Sequence, residues 1–173
     1  MLSMKLLGNI TLSFWLATSN AYAAGPIASL CLQEETVLFS CSMKKKMVSL
    51  CSSPRLEFSS DSWSLTYRIG IAGQGPELVY PSTKVKPADA FTFAYSTYAK
   101  GSSMQLTFNI ENFTYTLYCE NHAFDPSGSG VVIEKDGKYL SNLRCAESSI
   151  ENNLYHLKDS GLKKVDWRNI WAP

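Results

Sequence analysis

A mainly antiparallel all-β fold, built as a small β-sandwich or barrel with one short C-terminal helix, is predicted by three features of this 173-residue chain. Apolar and polar residues alternate with period two in several short stretches. Those stretches are rich in aromatic and β-branched residues, and clusters of Gly, Pro, Asn and Ser separate them. Successive side chains on a pleated strand point to opposite faces, so a half-buried strand needs that period and favours those residue types.

The chain opens differently. Lys5 supplies a positive charge, an apolar run follows from Leu6 to Ala17, and Ala21-Tyr22-Ala23 places small residues two apart. That order is a secretory signal peptide over residues 1–23, cleaved after Ala23, which leaves residues 24–173 as a single β domain. Gly8, Asn9, Thr11 and Ser13 interrupt the run, which is too short to span a bilayer, and stable membrane insertion after cleavage is not expected. Leu30 precedes Cys31 where a lipid-modified cysteine needs a small residue, which argues against a lipoprotein.

The first hairpin covers residues 36–52 and turns within Met43-Lys44-Lys45-Lys46. With Lys44-Lys45 as a two-residue loop, Val37, Phe39 and Cys41 share an apolar face with Val48 and Leu50, and Ser40, Ser42 and Ser49 take the other. That register turns Cys41 and Cys51 to opposite sides, so they do not bridge each other. Trp63, Leu65, Tyr67 and Ile69 alternate with Ser62, Ser64, Thr66 and Arg68. Further strands are read at Phe91-x-Phe93-x-Tyr95, at Met104-x-Leu106-x-Phe108, and at Phe113-x-Tyr115-x-Leu117. Asp136-Gly137 joins 131–133 to 139–140, because Asp-Gly readily takes the positive φ angles of a tight turn. Ser148 and Glu151 read as a capping box. The helix they start carries Ile150, Leu154 and Leu157 on one face and ends at Gly161. The tail, with Val165, Trp167, Ile170 and Trp171, is too apolar to hang free and is expected to dock.

Without Lys5 the chain has 15 basic and 15 acidic residues, so it lacks the basic footprint of a nucleic-acid binder. About 150 residues suffice to bury a core without metal or oligomerisation, and no cofactor is expected. The cysteines are Cys31, Cys41, Cys51, Cys119 and Cys145, all after the leader. In an oxidising compartment four of them form two bridges and one is left over. A bridge from Cys145 to any of the first three closes a loop of about 100 residues, which chain entropy values at about 4–5 kcal/mol.

Chemistry-bearing residues are sparse. Glu120, His122 and Asp125 are types that ligate metals, yet a polar inter-strand loop also collects them and no second ligand cluster accompanies them. Ser127-Gly128-Ser129-Gly130 lacks the Gly-x-Ser-x-Gly elbow of hydrolases and follows Pro126, which suits a flexible loop. Cys119 beside Glu120 has its thiolate disfavoured. His156 reads as a surface residue. No catalytic residue is assigned, and the chain is not expected to be an enzyme. Lys44-Lys45-Lys46 forms a compact positive tip that suits an acidic cleft on another protein.

Three segments resemble a group of small exported proteins of Gram-negative bacteria with no assigned activity. They are Leu38-Phe-Ser-Cys41 with Val48-Ser-Leu-Cys51, Leu65-Thr-Tyr-Arg-Ile-Gly70 with Pro76-Glu-Leu-Val-Tyr-Pro81, and Gly130-Val-Val-Ile-Glu-Lys135 with Cys145. The resemblance implies a periplasmic β domain in which Cys31, Cys41, Cys51 and Cys145 supply the disulfides and Cys119 is the free thiol. Ser127-Gly128-Ser129-Gly130 followed by Lys135 is similar in flavour to the cleft-inserting loop of bacterial inhibitors of c-type lysozyme.

Together these readings give a periplasmic protein-binding module, an inhibitor or immunity protein against an envelope-acting enzyme or toxin. Its contacts are placed at Lys44, Lys45, Lys46, His122, Asp125, Ser127, Ser129 and Lys135. The alternative is a carrier holding a small apolar ligand among residues such as Phe91, Phe93, Tyr95 and Phe113.

Overall fold

The computed structural model describes residues 28–54, 63–123, 128–168 and 170. The expected leader, Asp125, Ser127 and Trp171 lie outside them. The strands are β1 (Thr36–Met43), β2 (Lys46–Ser52), β3 (Leu65–Ile71), β4 (Gly75–Tyr80), β5 (Thr92–Tyr98), β6 (Gly101–Ile110), β7 (Phe113–His122), β8 (Gly128–Lys135), β9 (Lys138–Arg144), β10 (Glu151–Asn152) and β11 (Lys163–Lys164). A four-residue helix α1 (Pro87–Ala90), with no counterpart in the sequence pattern, links β4 to β5.

Two antiparallel meanders, β1 to β4 and β5 to β9, form two sheets packed as a sandwich. The chain after β9 then adds an edge strand to each: β10 beside β1, and β11 parallel to β5. Inward-facing residues of both sheets form one core. Its aromatic centre is Phe108, with ring centroids of Tyr67, Tyr80, Tyr115 and Phe91 between 4.5 and 5.5 Å away. The Tyr67 hydroxyl is buried there without a hydrogen-bond partner among the described residues, and burial, then the Tyr115 phenol, push its ionisation well above the ordinary tyrosine range.

The first hairpin turns on Lys44-Lys45 as expected, with Met43 opposite Lys46 and Lys44 at φ 51°. Phe39 and Cys41 face Leu50 and Val48 in the expected register. Val37 departs from it. A bulge between Val37 and Phe39 pairs Val37 with Cys51 on the other face, and Leu38 enters the core instead. Asp136 and Gly137 carry positive φ of 52° and 73°, as the second hairpin requires.

The C-terminal helix is the main correction. Residues 147–159 form a 3-10 turn (Glu147–Ser149), the strand β10, and a second 3-10 segment (Leu154–Asp159) rather than one α-helix. The Ser148–Glu151 capping box is not made: the N-caps of the two 3-10 segments are Ala146 and Asn153, and neither carries a side-chain cap hydrogen bond. The main chain at 151–152 is used by β1 instead, as Phe39 pairs with Asn152 and Ser40 with Glu151. Leu154 and Leu157 still reach the core, because a spacing of three matches one 3-10 turn.

Two disulfides, Cys31–Cys51 and Cys41–Cys145, are present, and Cys119 is a buried free thiol. Cys41 faces inward and Cys51 outward, which is why they have different partners. Such cystines belong to an oxidising compartment. No helix among the described residues is long and apolar enough to cross a membrane.

Candidate partner-binding surface

The positive hairpin tip is built on a fixed root. Met43 and Met47 flank it and are buried. Ser42 is clamped on both sides, its N–H donating to the Ser149 hydroxyl (2.9 Å) and its carbonyl accepting from the Ala146 N–H (2.8 Å). One residue earlier, Cys41 is covalently joined to Cys145. Lys46 is spent on an ion pair with Glu77 at 2.6 Å. Lys44 and Lys45 are exposed and have no ion-pair partner among the described residues. The three-lysine tip expected from sequence is thus a two-lysine tip.

The same disulfide brings this root close to the start of β8, where the Ser129 carbonyl accepts the Cys145 N–H (2.9 Å). A cleft of about 370 Å³ opens there, walled by Cys119, Glu120, Ser129, Glu147, Ile150 and Asn152. Burial pushes the Cys119 thiol up, and the Glu120 carboxylate adds to that; hydrogen bonds with Ser129 and Asn152 pull part of it back. The Asn152 amide donates to its sulfur at 2.8 Å. A thiol held protonated in this way is a poor nucleophile. Strand alternation also turns His122 to the face opposite Cys119. His122 is stacked on Tyr98 at 5.5 Å, hydrogen-bonded to the Tyr98 hydroxyl at 2.9 Å, and 3.5 Å from Glu120.

The loop expected over 120–130 is mostly strand. β7 runs on to His122 and β8 begins at Gly128, because Cys119 pairs with Ser129 and Glu120 with Gly128. Ser129 is only 5 % exposed and is engaged by Cys119, so it is withdrawn from any partner. Gly130 is needed where it stands: a Cβ there would meet the Leu143 carbonyl at 2.4 Å and the Tyr118 hydroxyl at 2.9 Å. Lys135 sits at the other end of β8, six residues or about 20 Å from Ser129, with its ammonium 5.4 Å from the Phe113 ring centroid. The Ser/Gly string and Lys135 therefore do not form one surface.

The residues named for an apolar cavity divide: Phe93 and Tyr95 line one small pocket beside β5, whereas Phe91 is buried in the inter-sheet core and Phe113 lies under Lys135. A third grouping, Cys31, Glu35 and Cys51, has metal-ligand residue types within 4.8 Å. Its cysteines are joined to each other and Glu35 is held by Arg68 in a two-bond pair at 2.5 and 2.9 Å, so the set is occupied by its own contacts. Comparison with protein-family models, with characterised proteins and with solved structures finds no match to this chain.

Proposed function

We propose that this is an exported periplasmic module that binds and blocks another protein, as an inhibitor or immunity protein against an envelope-acting enzyme or toxin. One observation carries the reading. Two exposed lysines without carboxylate partners among the described residues stand at the apex of a hairpin whose root is fixed by the Cys41–Cys145 bond and the Ser42 hydrogen bonds. A rigid apex keeps the entropy lost on docking small, and two close positive charges steer it toward an acidic cleft. The buried, protonated Cys119 and the structurally engaged His122 favour binding over catalysis.

The test is charge reversal at the apex. Wild-type protein and the variant Lys44→Glu with Lys45→Glu are each used to capture partners from envelope extracts. The partner held by wild type is then measured by surface plasmon resonance. The expected result is a single acidic partner whose association slows by about tenfold or more in the variant and in high salt. A partner bound equally by both proteins, or none at all, overturns the reading.

A further inference from the structure

We propose that β5 and the segment after β10 form a second site, which takes a small organic anion: a carboxylic acid with an aromatic or short branched body. Its walls come from chain that is distant in sequence. β11 adds to β5 with Lys164 beside Phe93, and the Val165 N–H donates to the Phe93 carbonyl at 3.1 Å. On the other side, the 3-10 segment Leu154–Asp159 sets Tyr155 edge-on to Tyr95, at 6.1 Å and 77°. Gly161, at φ 76°, reverses the chain between these two walls, a backbone position that resists a side chain.

The space enclosed is about 150 Å³ and is lined by Phe93, Tyr95, Val165, Lys158 and Lys164. A cavity of about that volume accommodates a benzene ring. Phe93, 1 % exposed, makes its floor, and Tyr95 and Val165 supply apolar sides. Among the described residues, the charged groups lining it are both cationic. Neither Lys158 nor Lys164 has a carboxylate partner among the described residues, and the Lys158 ammonium lies 5.7 Å from the Tyr155 ring centroid. An apolar floor with two lysines in its lining complements an apolar body with one carboxylate. The carboxylate accepts charge-assisted hydrogen bonds while the body fills the cavity. The apolar floor gives no advantage to a bare inorganic anion.

The experiment follows backbone amides of the full 15N-labelled chain by NMR during titration with sodium benzoate, with benzyl alcohol as its neutral counterpart, and with sodium sulfate. The expected result is saturable shifts confined to 92–95 and 155–165 with benzoate. Benzyl alcohol binds about tenfold more weakly, the difference one charge-assisted contact supplies, and sulfate leaves these amides unchanged. The variant Lys158→Gln with Lys164→Gln keeps its fold and its benzyl alcohol affinity but loses the preference for the acid. Lys44→Glu with Lys45→Glu binds benzoate as wild type does, which separates this site from the hairpin. The proposal is overturned by equal binding of acid and alcohol, by sulfate shifting the same amides, by an unchanged acid preference in the lysine variant, or by no saturation up to about 10 mM.

Discussion

The two outer faces of the sandwich are each crossed by a strap, one at residues 28–35 and one at 165–168 with Ile170, and the straps are held by different chemistry. Beneath the first lie small residues. Ser40 and Ser49 have no exposed surface, and their hydroxyls bond to the strap's own main chain, Ser40 to the Ala28 carbonyl and Ser49 to the Leu30 N–H, both at 2.9 Å. Small side chains let the strap lie close, and Cys31–Cys51 and Glu35–Arg68 then latch it. Beneath the second strap the sheet offers longer groups. The Gln105 side-chain amide both donates to the Arg168 carbonyl and accepts from the Arg168 N–H, copying the hydrogen bonds of a neighbouring strand. Trp167 donates to Ser103 at 2.6 Å, Arg168 pairs with Glu134, and Ile170 packs on Tyr118 and Val132. A covalent and ionic latch serves where the face is small and polar; a side-chain ladder with an apolar anchor serves where it is not.

The largest expected effect comes from removing the ionic latch. Arg68→Ala leaves the Glu35 carboxylate, 12 % exposed, without its cation, and should cost about 3 kcal/mol or more in urea unfolding. A loss below about 1 kcal/mol would mean that water reaches Glu35 and that the two straps differ less than the geometry shows. Next comes the covalent latch. Cys31→Ala with Cys51→Ala opens a loop of sequence separation 20 and should cost about 3 kcal/mol. Hydrogen exchange should then show 28–35 opening ahead of the sheets; unchanged protection there would assign the hold to Arg68 alone.

The third effect falls on the other strap. Ile170→Ala removes an anchor that is 7 % exposed and should cost about 2 kcal/mol, with exchange rising at 165–168 and not at 28–35. The smallest effect is a pH dependence. Burial raises both Tyr118 and Cys119 above their ordinary values of 10.0 and 9.0, against partial relief from Asn142 and Arg144 at Tyr118. A group whose ionisation is raised on folding supports the fold fully below its unfolded value, and that support is lost as pH rises past it. Stability should therefore fall above about pH 9, with the strap over Tyr118 loosening before the one over Arg68. Cys119→Ala should remove the first part of the decline, read as a flatter melting temperature between about pH 8 and 10. An unchanged profile in that variant would place the decline on the tyrosines.

Most strands and the two expected hairpin turns were legible because each is a local matter, whereas β4, β10 and β11 carry no alternation that marks them. Alternation marks the other strands, and Lys44-Lys45 and Asp136-Gly137 mark the turns. The opposite orientation of Cys41 and Cys51 followed from the hairpin register alone. What escaped depends on long-range contact. Ser40 and Ser49 read only as the polar face of their hairpin, because nothing in that hairpin shows the strap that covers them. The stretch 148–161 carries helical spacing, but β1 takes up its main chain at 151–152. The pocket joins Phe93 and Tyr95 to Lys158 and Lys164, partners more than sixty residues apart with no shared local pattern. Of the expected contact set, the hairpin tip persists as a surface, whereas Ser129 is buried by its cross-strand neighbour and Lys135 is carried to the far end of its strand.

The two cystines interleave along the chain: Cys41 lies inside the span from Cys31 to Cys51, yet its mate is 104 positions away. An oxidant meeting this polypeptide as it emerges finds Cys31, Cys41 and Cys51 long before Cys145. First-come joining would couple nearest neighbours and seal Cys41 into the wrong bond. Where oxidation starts during emergence, correct maturation would depend on a reshuffling catalyst, or on thiols kept open until the whole polypeptide has arrived. Yield in a host lacking such an isomerase is where this wiring would first be felt.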